Sequence, residues 1–502
     1  MSGRNNFAKI GALDSSEPYD VCIIGSGPAG TVLAKSLVEK GIRTLMLESG
    51  YGLFRWLTDK RFKKNIADFE VSGNADYPVE NTRGILLGGT SNFWTGRCER
   101  FHPMDFEQHP YTPKDNPWPI SYKDIDPYYD KAEKLLRVRC GDRSKFAPPR
   151  SNPFPLPPKT DISYLKNLFG EIGVTVDDSP TATPKKIPRF FMFQKEVLQG
   201  FMQSSNFTLI TGATVTRLIG DSSKRITGAV VRTLNGEKKM ARAKIYVIAC
   251  GGIATPRLLL LSKSEYFPNG IGNTYDRVGR GFNEHPAVNF YAQLPHQWET
   301  LYPSNKIGRS HQFYDFFRSE GLWSILPVFR QSWVLPHHNM PMTLSHIPRN
   351  TLAILKRFLW ATLYIGVVIE MKISDSNRVM LSKNKKDIFG DPLAHLVLNY
   401  SKEDFKLLER SRELVMKWYR QLGAKNIREA QITFSRHHIG TCRMGDNPKT
   451  SVVDRNLRVH ETPNLYLGGS EVFVTGGSMQ PVLTITALAY RLGEHLFDIV
   501  SS

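Results

Sequence analysis

The stretch 19–50, YDVCIIGSGPAGTVLAKSLVEKGIRTLMLESG, constrains the fold more than any other part of the chain. Its apolar run VCII breaks at a set of glycines, an apolar-periodic segment follows, and a second apolar run ends at Glu48. This order predicts a strand, a glycine turn, a helix and a second strand. The glycines are Gly25, Gly27 and Gly30.

These three glycines suit a phosphate-binding turn. They permit a tight turn, a close approach of a pyrophosphate to the backbone, and close packing of helix on strand. The helix N-terminus that follows offers unpaired N–H groups and the positive end of the helix dipole. Glu48 lies where a carboxylate accepts hydrogen bonds from ribose hydroxyls. The segment therefore predicts a bound dinucleotide, but it does not by itself distinguish FAD from NAD.

Length and cysteine content limit the class of protein. With 502 residues, 41% of them hydrophobic, two domains are expected. The five cysteines are scattered and form no CxxC pair. This pattern argues against a disulfide framework or a metal site and favours a reducing compartment, so we expect a cytoplasmic protein. The sequence shows neither the apolar core of a signal peptide nor an uninterrupted apolar run of about 18 residues.

The charge is strongly positive. A net charge of +19 favours acidic partners such as nucleic acid, anionic lipid or a phosphorylated ligand. The sequence contains no recognisable nucleic-acid-binding motif, so we expect no nucleic-acid partner. A basic but unspecialised surface accounts for the charge equally well.

Two later segments repeat the strand–turn–helix plan. One is KIYVIACGGIATPRLLLLSK, with Gly251 in its turn, and the other is NLYLGGSEVFVTGGSMQPVLTITALAYRLGEHL at 464–496. The second predicts that the C-terminal part of the chain returns to the N-terminal sheet. Between the first two units, the pair Asn235-Gly236 predicts a β-hairpin.

Four segments together resemble the glucose–methanol–choline (GMC) family of flavin oxidoreductases. A weaker match at Ile369–Pro392 resembles a strand pair of the family's cap domain. The variants LGGTSNFW and YLGGS are most similar to the branch that contains pyranose oxidases and related glycoside oxidases. The four segments are the nucleotide motif ending LESG, RGILLGGTSNFWTGRCERFHPMDF (Arg83–Phe106), VGRGFNEHP (Val278–Pro286) and HHIGTCRMGDNPKTSVVDRNLRVHETPNLYLGGS (His437–Ser470).

The resemblance implies an α/β fold, in which a discontinuous Rossmann-like FAD-binding domain carries an α+β substrate-binding cap with an antiparallel sheet. It implies FAD as the cofactor. The expected parts are 1–110, 196–290 and 431–502 for the FAD-binding domain, 111–195 for extended loops and cap elements, and 291–430 for the cap. The residues expected to bind FAD are Gly25, Gly27, Gly30, Glu48, Gly88, Gly89, Ser91, Asn92, Gly251, Gly469 and Ser470.

Oxidation of an alcohol needs a base that takes the hydroxyl proton as hydride leaves the carbon, and a neutral imidazole does this near neutral pH. His437 opens the sequence HxxGT at the family's catalytic histidine position. Its neighbour His438 is the alternative, although the spacing to Gly440 favours His437. The family's second His or Asn is replaced here by Gln480, whose amide can orient a hydroxyl but cannot act as a base.

The glycine-rich loop implies non-covalent FAD. Some relatives attach the flavin through a histidine at the position of Phe93, whose ring has no nucleophilic nitrogen. The adjacent Asn92 either hydrogen-bonds near the flavin or stabilises the loop.

The resemblance therefore implies an FAD-dependent oxidoreductase that converts a CH–OH group to a carbonyl, with a sugar or glycoside favoured as the substrate. Two alternatives remain: a non-sugar or lipid-linked alcohol, and a flavin-binding protein with a degenerate site, which Gln480 alone supports. The electron acceptor stays open between oxygen, a quinone and another acceptor.

One segment suggests a further contact. The part Thr351–Leu363 places leucines close to one face, with Lys356 and Arg357 beside it, and it predicts a cap helix followed by a strand at Tyr364–Met371. The alternative is an interfacial element that makes peripheral contact with an anionic membrane.

Overall fold

The computed structural model describes residues 9–14, 17–52, 69–78, 82–159, 161–185, 191–294, 307–333 and 361–502. The helices in these ranges are α1 (Pro28–Val38), α2 (Tyr122–Leu136), α3 (Ser163–Gly170), α4 (Phe193–Glu196), α5 (Gly251–Leu261), α6 (Lys402–Gln421) and α7 (Val482–Ser501). The strands are β1 (Tyr19–Ile24), β2 (Thr44–Glu48), β3 (Phe69–Ser72), β4 (Asp177–Asp178), β5 (Phe207–Thr211), β6 (Thr214–Gly220), β7 (Ile226–Arg232), β8 (Lys238–Ala241), β9 (Ala243–Ile248), β10 (Pro286–Gln293), β11 (Ile307–Arg309), β12 (Ile325–Trp333), β13 (Ala361–Ile369), β14 (Arg378–Lys386), β15 (Pro392–Val397), β16 (Lys425–Phe434) and β17 (Leu465–Leu467).

A five-stranded parallel sheet in the order β17-β9-β1-β2-β5 organises the FAD-binding part. Every residue of β2 is buried, as expected for a parallel strand covered on both faces. The first strand, helix and second strand lie where the glycine motif predicts them. The terminal unit also returns as predicted, because β17 pairs with β9 and α7 packs on α1 and α2. The discontinuous Rossmann-like domain is therefore confirmed.

A smaller antiparallel sheet lies between two strands of this domain. It has the order β6-β7-β8, and the turn between β7 and β8 contains Asn235 and Gly236. Gly236 has a φ of +88°, a conformation that glycine adopts without steric cost. The predicted hairpin is therefore present.

The cap is built on a six-stranded sheet in the order β16-β10-β13-β12-β11-β4, in which every pair is antiparallel. One face carries apolar side chains such as Phe290, Phe329 and Ile365, which form the cap's own core with α6. On the opposite face, Leu326 and Val368 pack against the core of the FAD-binding domain. The cap sheet therefore turns this second face toward the cofactor domain.

Two strands cross the borders predicted between the cap and the FAD-binding domain. Strands β10 and β16 extend across the predicted borders at 290/291 and 430/431, so both connections into the cap are continuous strands. A fourth sheet, β14-β15-β3, includes the antiparallel pair β14–β15, which lies in and just beyond the segment with weaker resemblance.

The predicted cap helix lies largely outside the described residues, which resume at position 361. The helix prediction is wrong for its last three residues, 361–363, because they begin strand β13. The run ATLYIGVVI is rich in β-branched and aromatic residues, which pack well on a pleated sheet. Within the described ranges, no helix is both long and apolar enough to cross a membrane.

Candidate active site

The turn between β1 and α1 leaves open space at the helix N-terminus. A Cβ added to Gly25 would lie 2.5 Å from the carbonyl oxygen of Ala249, and one added to Gly30 would lie 2.0 Å from the carbonyl oxygen of Gly25. A Cβ added to Gly27 would meet no atom within 4 Å. Two glycines are therefore required by packing, while the middle one borders room for a phosphate at the start of the helix.

Glu48 lies beside this turn. Its Oε2 accepts hydrogen bonds from the backbone N–H (3.0 Å) and the hydroxyl (2.6 Å) of Ser26, and its Oε1 accepts one from the N–H of Gly50 (2.7 Å). Burial raises the pKa of the carboxyl group, against these hydrogen bonds. A carboxylate has about four acceptor positions, so one remains for a ribose hydroxyl.

The loop 88–92 covers the first turn. The N–H of Gly88 donates to the hydroxyl of Ser26 (3.0 Å). A Cβ added to Gly89 would lie 3.2 Å from Cα of Gly27, so the two backbones are in direct contact. The loop thus lies against the glycine turn between β1 and α1.

Polar side chains inside this loop hold its shape. The hydroxyl of Ser91 donates to the carbonyl of Gly88 (2.6 Å). The amide Nδ2 of Asn92 donates to the carbonyls of Leu87 (3.0 Å) and Gly89 (2.7 Å). Both N–H bonds of Asn92 are therefore used within the loop, which matches the loop-stabilising role.

Phe93 follows with 49% of its surface exposed, and a Cβ added to Gly84 would lie 2.9 Å from its ring. The next residue, Trp94, is anchored because its indole N–H donates to the carbonyl of Phe191 (2.6 Å). The ring of Phe93 thus stands at the end of the cofactor loop, at the position where a linking histidine would lie.

The predicted residues Gly251 and Ser470 lie where the C-terminal segment meets the rest of the FAD-binding domain. Helix α5 begins at Gly251, where an added Cβ would meet no atom within 4 Å. At Gly252 it would lie 2.4 Å from the carbonyl oxygen of His438, and this same oxygen accepts a hydrogen bond from the hydroxyl of Ser470 (2.7 Å). The histidine motif is therefore held directly against the cofactor domain.

A buried carboxyl group beside Gly469 was not anticipated. Oε2 of Glu471 has no hydrogen-bond partner in the described structure, and a Cβ added to Gly469 would lie 2.3 Å from it. Burial raises the pKa of Glu471 to about 7. The open positions at Gly27 and Gly251, together with acceptors at Glu48 and Glu471, fit the phosphate and hydroxyl groups of FAD.

His437 is partly buried in the site and paired with a second histidine. Its Nδ1 lies 2.8 Å from Nδ1 of His285, and its backbone N–H donates to Oε1 of Glu284. Burial holds the pKa of His437 well below 6.5, and the neighbouring His285, His438 and Arg309 lower it further. His437 is therefore neutral, and its Nε2 has no hydrogen-bond partner in the described part of the chain.

Glu284 and His285 fix the position of this histidine. The carboxylate of Glu284 also accepts the N–H groups of His285 (2.6 Å) and Ser435 (3.2 Å). Burial lowers the pKa of His285 to about 3, and its second ring nitrogen, Nε2, makes no hydrogen bond among the described residues. A Cβ added to Gly476 would lie 2.8 Å from Nε2.

His438 has a different environment. Its Nε2 lies 2.7 Å from the hydroxyl of Tyr77, and its ring packs against Tyr77 and Phe282. Burial lowers its pKa to about 3. Because Nε2 is already hydrogen-bonded, the geometry favours His437 over His438 as the base.

Gln480 lies at the end of a loop that contacts the cap. Its Oε1 is buried and has no hydrogen-bond partner in the described ranges. The loop is held where the N–H of Gly476 donates to Glu370 (2.7 Å) and the N–H of Ser478 donates to the hydroxyl of Tyr314 (3.2 Å). In the described structure no hydrogen bond joins Gln480 to His437, but His285 contacts both His437 and Gly476 in the loop that leads to Gln480.

Sequence reasoning missed several of these partners. Glu284 and His285 lie within the quoted motif VGRGFNEHP, so their motif was noticed but their role was not. Tyr77 and Arg309 carried no local signal, because each reaches the site only through the packing of distant segments.

Comparisons with known proteins agree with this geometry. Residues 18–52 match the profile of an FAD binding domain, and residues 191–287 and 374–489 match profiles of GMC oxidoreductases. The chain is 25% identical to the fructose dehydrogenase large subunit of Gluconobacter japonicus, over 95% of this chain and 98% of the relative. It is 21% identical to a C-glycoside 3-oxidase of Microbacterium trichothecenolyticum, over 96% and 97%.

A solved structure supports the fold. The pyridoxine 4-oxidase from Mesorbium loti superposes with a TM-score of 0.63 at 18% sequence identity, over 95% of this chain and 99% of that one. The expected arrangement of a cofactor domain and a cap is therefore shared by a known enzyme structure.

Proposed function

We propose, on the premise that this chain belongs to the GMC oxidoreductase family, that it oxidises a CH–OH group of a sugar or glycoside to a carbonyl. Membership makes the protein an FAD-dependent oxidoreductase that acts on CH–OH donors. The names of two relatives, a fructose dehydrogenase and a C-glycoside 3-oxidase, support a carbohydrate as the substrate.

The observation that carries the proposal is the state of His437. Its imidazole is neutral, because burial lowers its pKa, and its Nε2 is not hydrogen-bonded in the described structure. A neutral imidazole with a free lone pair can take the proton of a substrate hydroxyl. Bound FAD supplies the acceptor for the hydride.

The pair His285–His437 constrains the tautomer needed for this step. Two neutral rings joined through Nδ1 atoms 2.8 Å apart require one to donate and the other to accept. When His437 is the donor, its proton is on Nδ1 and Nε2 is the basic nitrogen. The proposal therefore requires His437 to donate and His285 to accept.

Gln480 is proposed to orient the substrate. An amide oxygen that is buried without a partner costs free energy, about 1–3 kcal/mol for a polar group of this kind. A substrate hydroxyl that donates to this oxygen removes the cost. Gln480 would thus favour one orientation of the hydroxyl, while His437 acts as the base.

Reduction of the flavin under anaerobic conditions tests the proposal. The purified holoenzyme is mixed in a stopped-flow instrument with sugars, glycosides, polyols and a sterol, and bleaching of the oxidised flavin is followed. We expect bleaching by at least one sugar or glycoside. Bleaching by the polyol or sterol alone would favour a non-sugar alcohol, and none by any alcohol would support a flavin-binding protein with a degenerate site. Repeating the cycle with oxygen and with a quinone identifies the electron acceptor.

A further inference from the structure

Arginine side chains lie on the face of the cap sheet that turns toward the cofactor domain. In β12, Leu326, Val328 and Arg330 share one face, because side chains alternate along a strand. Leu326 on that face packs in the core of the FAD-binding domain. Arg309 in β11 lies directly opposite Val328, so it belongs to the same face.

Arg309 is buried without adequate partners. Only 4% of its surface is exposed, and its Nε and Nη1 have no hydrogen-bond partner among the described residues. Its nearest carboxylate is Glu99, with Nε 3.6 Å from Oε1. The other oxygen of Glu99 accepts two hydrogen bonds from Arg143, each 3.1 Å long, so this carboxylate is shared.

Two more arginines lie near Arg309. Nε of Arg330 is also buried without a partner in the described structure, and Arg330 lies opposite Tyr364 in β13. Arg97 comes from the segment after the cofactor loop and is held by the hydroxyl of Thr181 (2.7 Å). Burial lowers the pKa of Arg97, the charges of Asp178 and Glu99 raise it, and the charge of Arg330 lowers it further. These carboxylates offset part of the positive charge, and an anionic ligand would offset more of it.

This face leads to the base. Burial lowers the pKa of Arg309 to about 10, and the charge of Arg309 in turn lowers the pKa of His437. Val368 in β13 pairs with Ala287, two residues after His285. Tyr364 is four residues from Val368, which is about 13 Å at roughly 3.3 Å per residue of strand. The row of Arg309 is about 7 Å from that end along the strands, and β11 is three strands across the sheet from β10, about 14 Å at roughly 4.8 Å per strand.

We propose that Arg309 and Arg330, with Arg97 opposite, form a subsite for a carboxylate or phosphate group carried by the substrate. The proposal rests on the proposed function and narrows its substrate to an acidic sugar or acidic glycoside. A guanidinium fork binds either anion through paired hydrogen bonds.

Equilibrium binding to the oxidised holoenzyme tests the subsite apart from turnover. Glucose, glucuronate and glucose 6-phosphate are titrated by calorimetry at low ionic strength. We expect at least one anionic sugar to bind about tenfold or more tightly than glucose, with the preference reduced by added salt. The comparison of glucuronate with glucose 6-phosphate identifies which anion is favoured. Equal binding of all three sugars, or no binding of either anion, would overturn the proposal.

Substitutions locate the effect. Arg330→Gln and Arg309→Lys should each lower the anionic-to-neutral affinity ratio about tenfold, since the first removes a charge and the second removes the planar fork. Arg309→Lys keeps a positive charge near Glu99, and Arg330→Gln provides an independent variant if Arg309→Lys fails to fold. Arg428→Gln is the matched control, because Arg428 is an exposed arginine of the same sheet, in β16. An anion preference that survives both variants would refute the assignment.

Flavin bleaching by the same sugars separates this proposal from the proposed function. Arginine-dependent binding of an anionic sugar without any bleaching would sustain the subsite and contradict the oxidation. Bleaching by neutral sugars, with no anion preference in binding, would sustain the oxidation and contradict the subsite.

Discussion

Replacing His437 and His438 one at a time should separate an effect on rate from an effect on stability. In His437→Ala, the nitrogen proposed to receive the substrate proton is lost, while the loops around the cofactor keep their contacts. We expect the flavin spectrum to be retained and flavin reduction to slow at least about 100-fold, the lower end for loss of a general base. This corresponds to about 2.7 kcal/mol in the activation barrier.

The neighbouring substitution acts on a different contact. His438→Ala removes the partner of the Tyr77 hydroxyl, which lies 2.7 Å from Nε2, and leaves that buried hydroxyl unpaired. Leaving this hydroxyl unpaired should cost about 1–3 kcal/mol of stability. The substitution also removes the ring contact between His438 and Phe282. We expect a lower melting temperature and a much smaller change in the rate of flavin reduction.

Anaerobic stopped-flow and thermal unfolding measure the two effects on the same preparations. The pH dependence of the rate of flavin reduction is a further test. Because the pKa of His437 is lowered well below 6.5, the ring stays unprotonated as the pH falls through 6.5, so the rate should show no acid limb near that value. If His438→Ala slowed reduction and His437→Ala chiefly lowered the melting temperature, the assignment of the base would have to shift by one residue.

Three further predictions concern the cofactor and the substrate. Acid precipitation should release FAD into the supernatant, because Phe93 cannot form a bond to it, and flavin that stays with the pellet would show that another residue does. Gly27→Val should purify without flavin colour, since it places a branched side chain in the space left for the phosphates. Gly170→Val, at the end of α3, where an added Cβ also meets no atom within 4 Å, serves as the control for general destabilisation. Gln480→Leu should lower kcat/KM by a factor equivalent to about 1–3 kcal/mol in activation free energy, with unchanged flavin content. The kcat/KM of Gln480→Asn should fall between those of the wild type and the Leu variant, or its substrate preference should change. A Leu variant with wild-type turnover would show that Gln480 is only a packing residue.

The cofactor turn could be predicted because its constraints are local. Gly25 and Gly30 are fixed by contacts within one strand–turn–helix unit, and Glu48 ends the adjacent strand. These residues lie close in sequence, so their spacing alone encodes the geometry. The same holds for Asn235-Gly236, which sets its own hairpin.

The residues around His437 could not be predicted from local sequence. His285 and His437 are 152 residues apart, and they meet only because β10 and β16 pair side by side. Arg309 ends a strand of three residues that has no recognisable pattern. Residues 361–363 were difficult to predict for a related reason. The helical spacing of the leucines continues into this run, but the β-branched residues that follow favour a strand.

The position of β17 at the edge of the parallel sheet has a consequence for synthesis of the protein. Asn464, just before this strand, donates to the carbonyl of Ile226, 238 residues earlier, and its amide also binds the backbone of Lys244. Until this segment emerges from the ribosome, the buried strand β9 has an unpaired edge, the kind of surface at which chains associate wrongly. The cofactor domain therefore cannot be completed on the nascent chain before the cap has been made, and FAD uptake should follow translation of residues 464–467. Truncation before Asn464 should yield aggregated, colourless protein even though the glycine turn is intact.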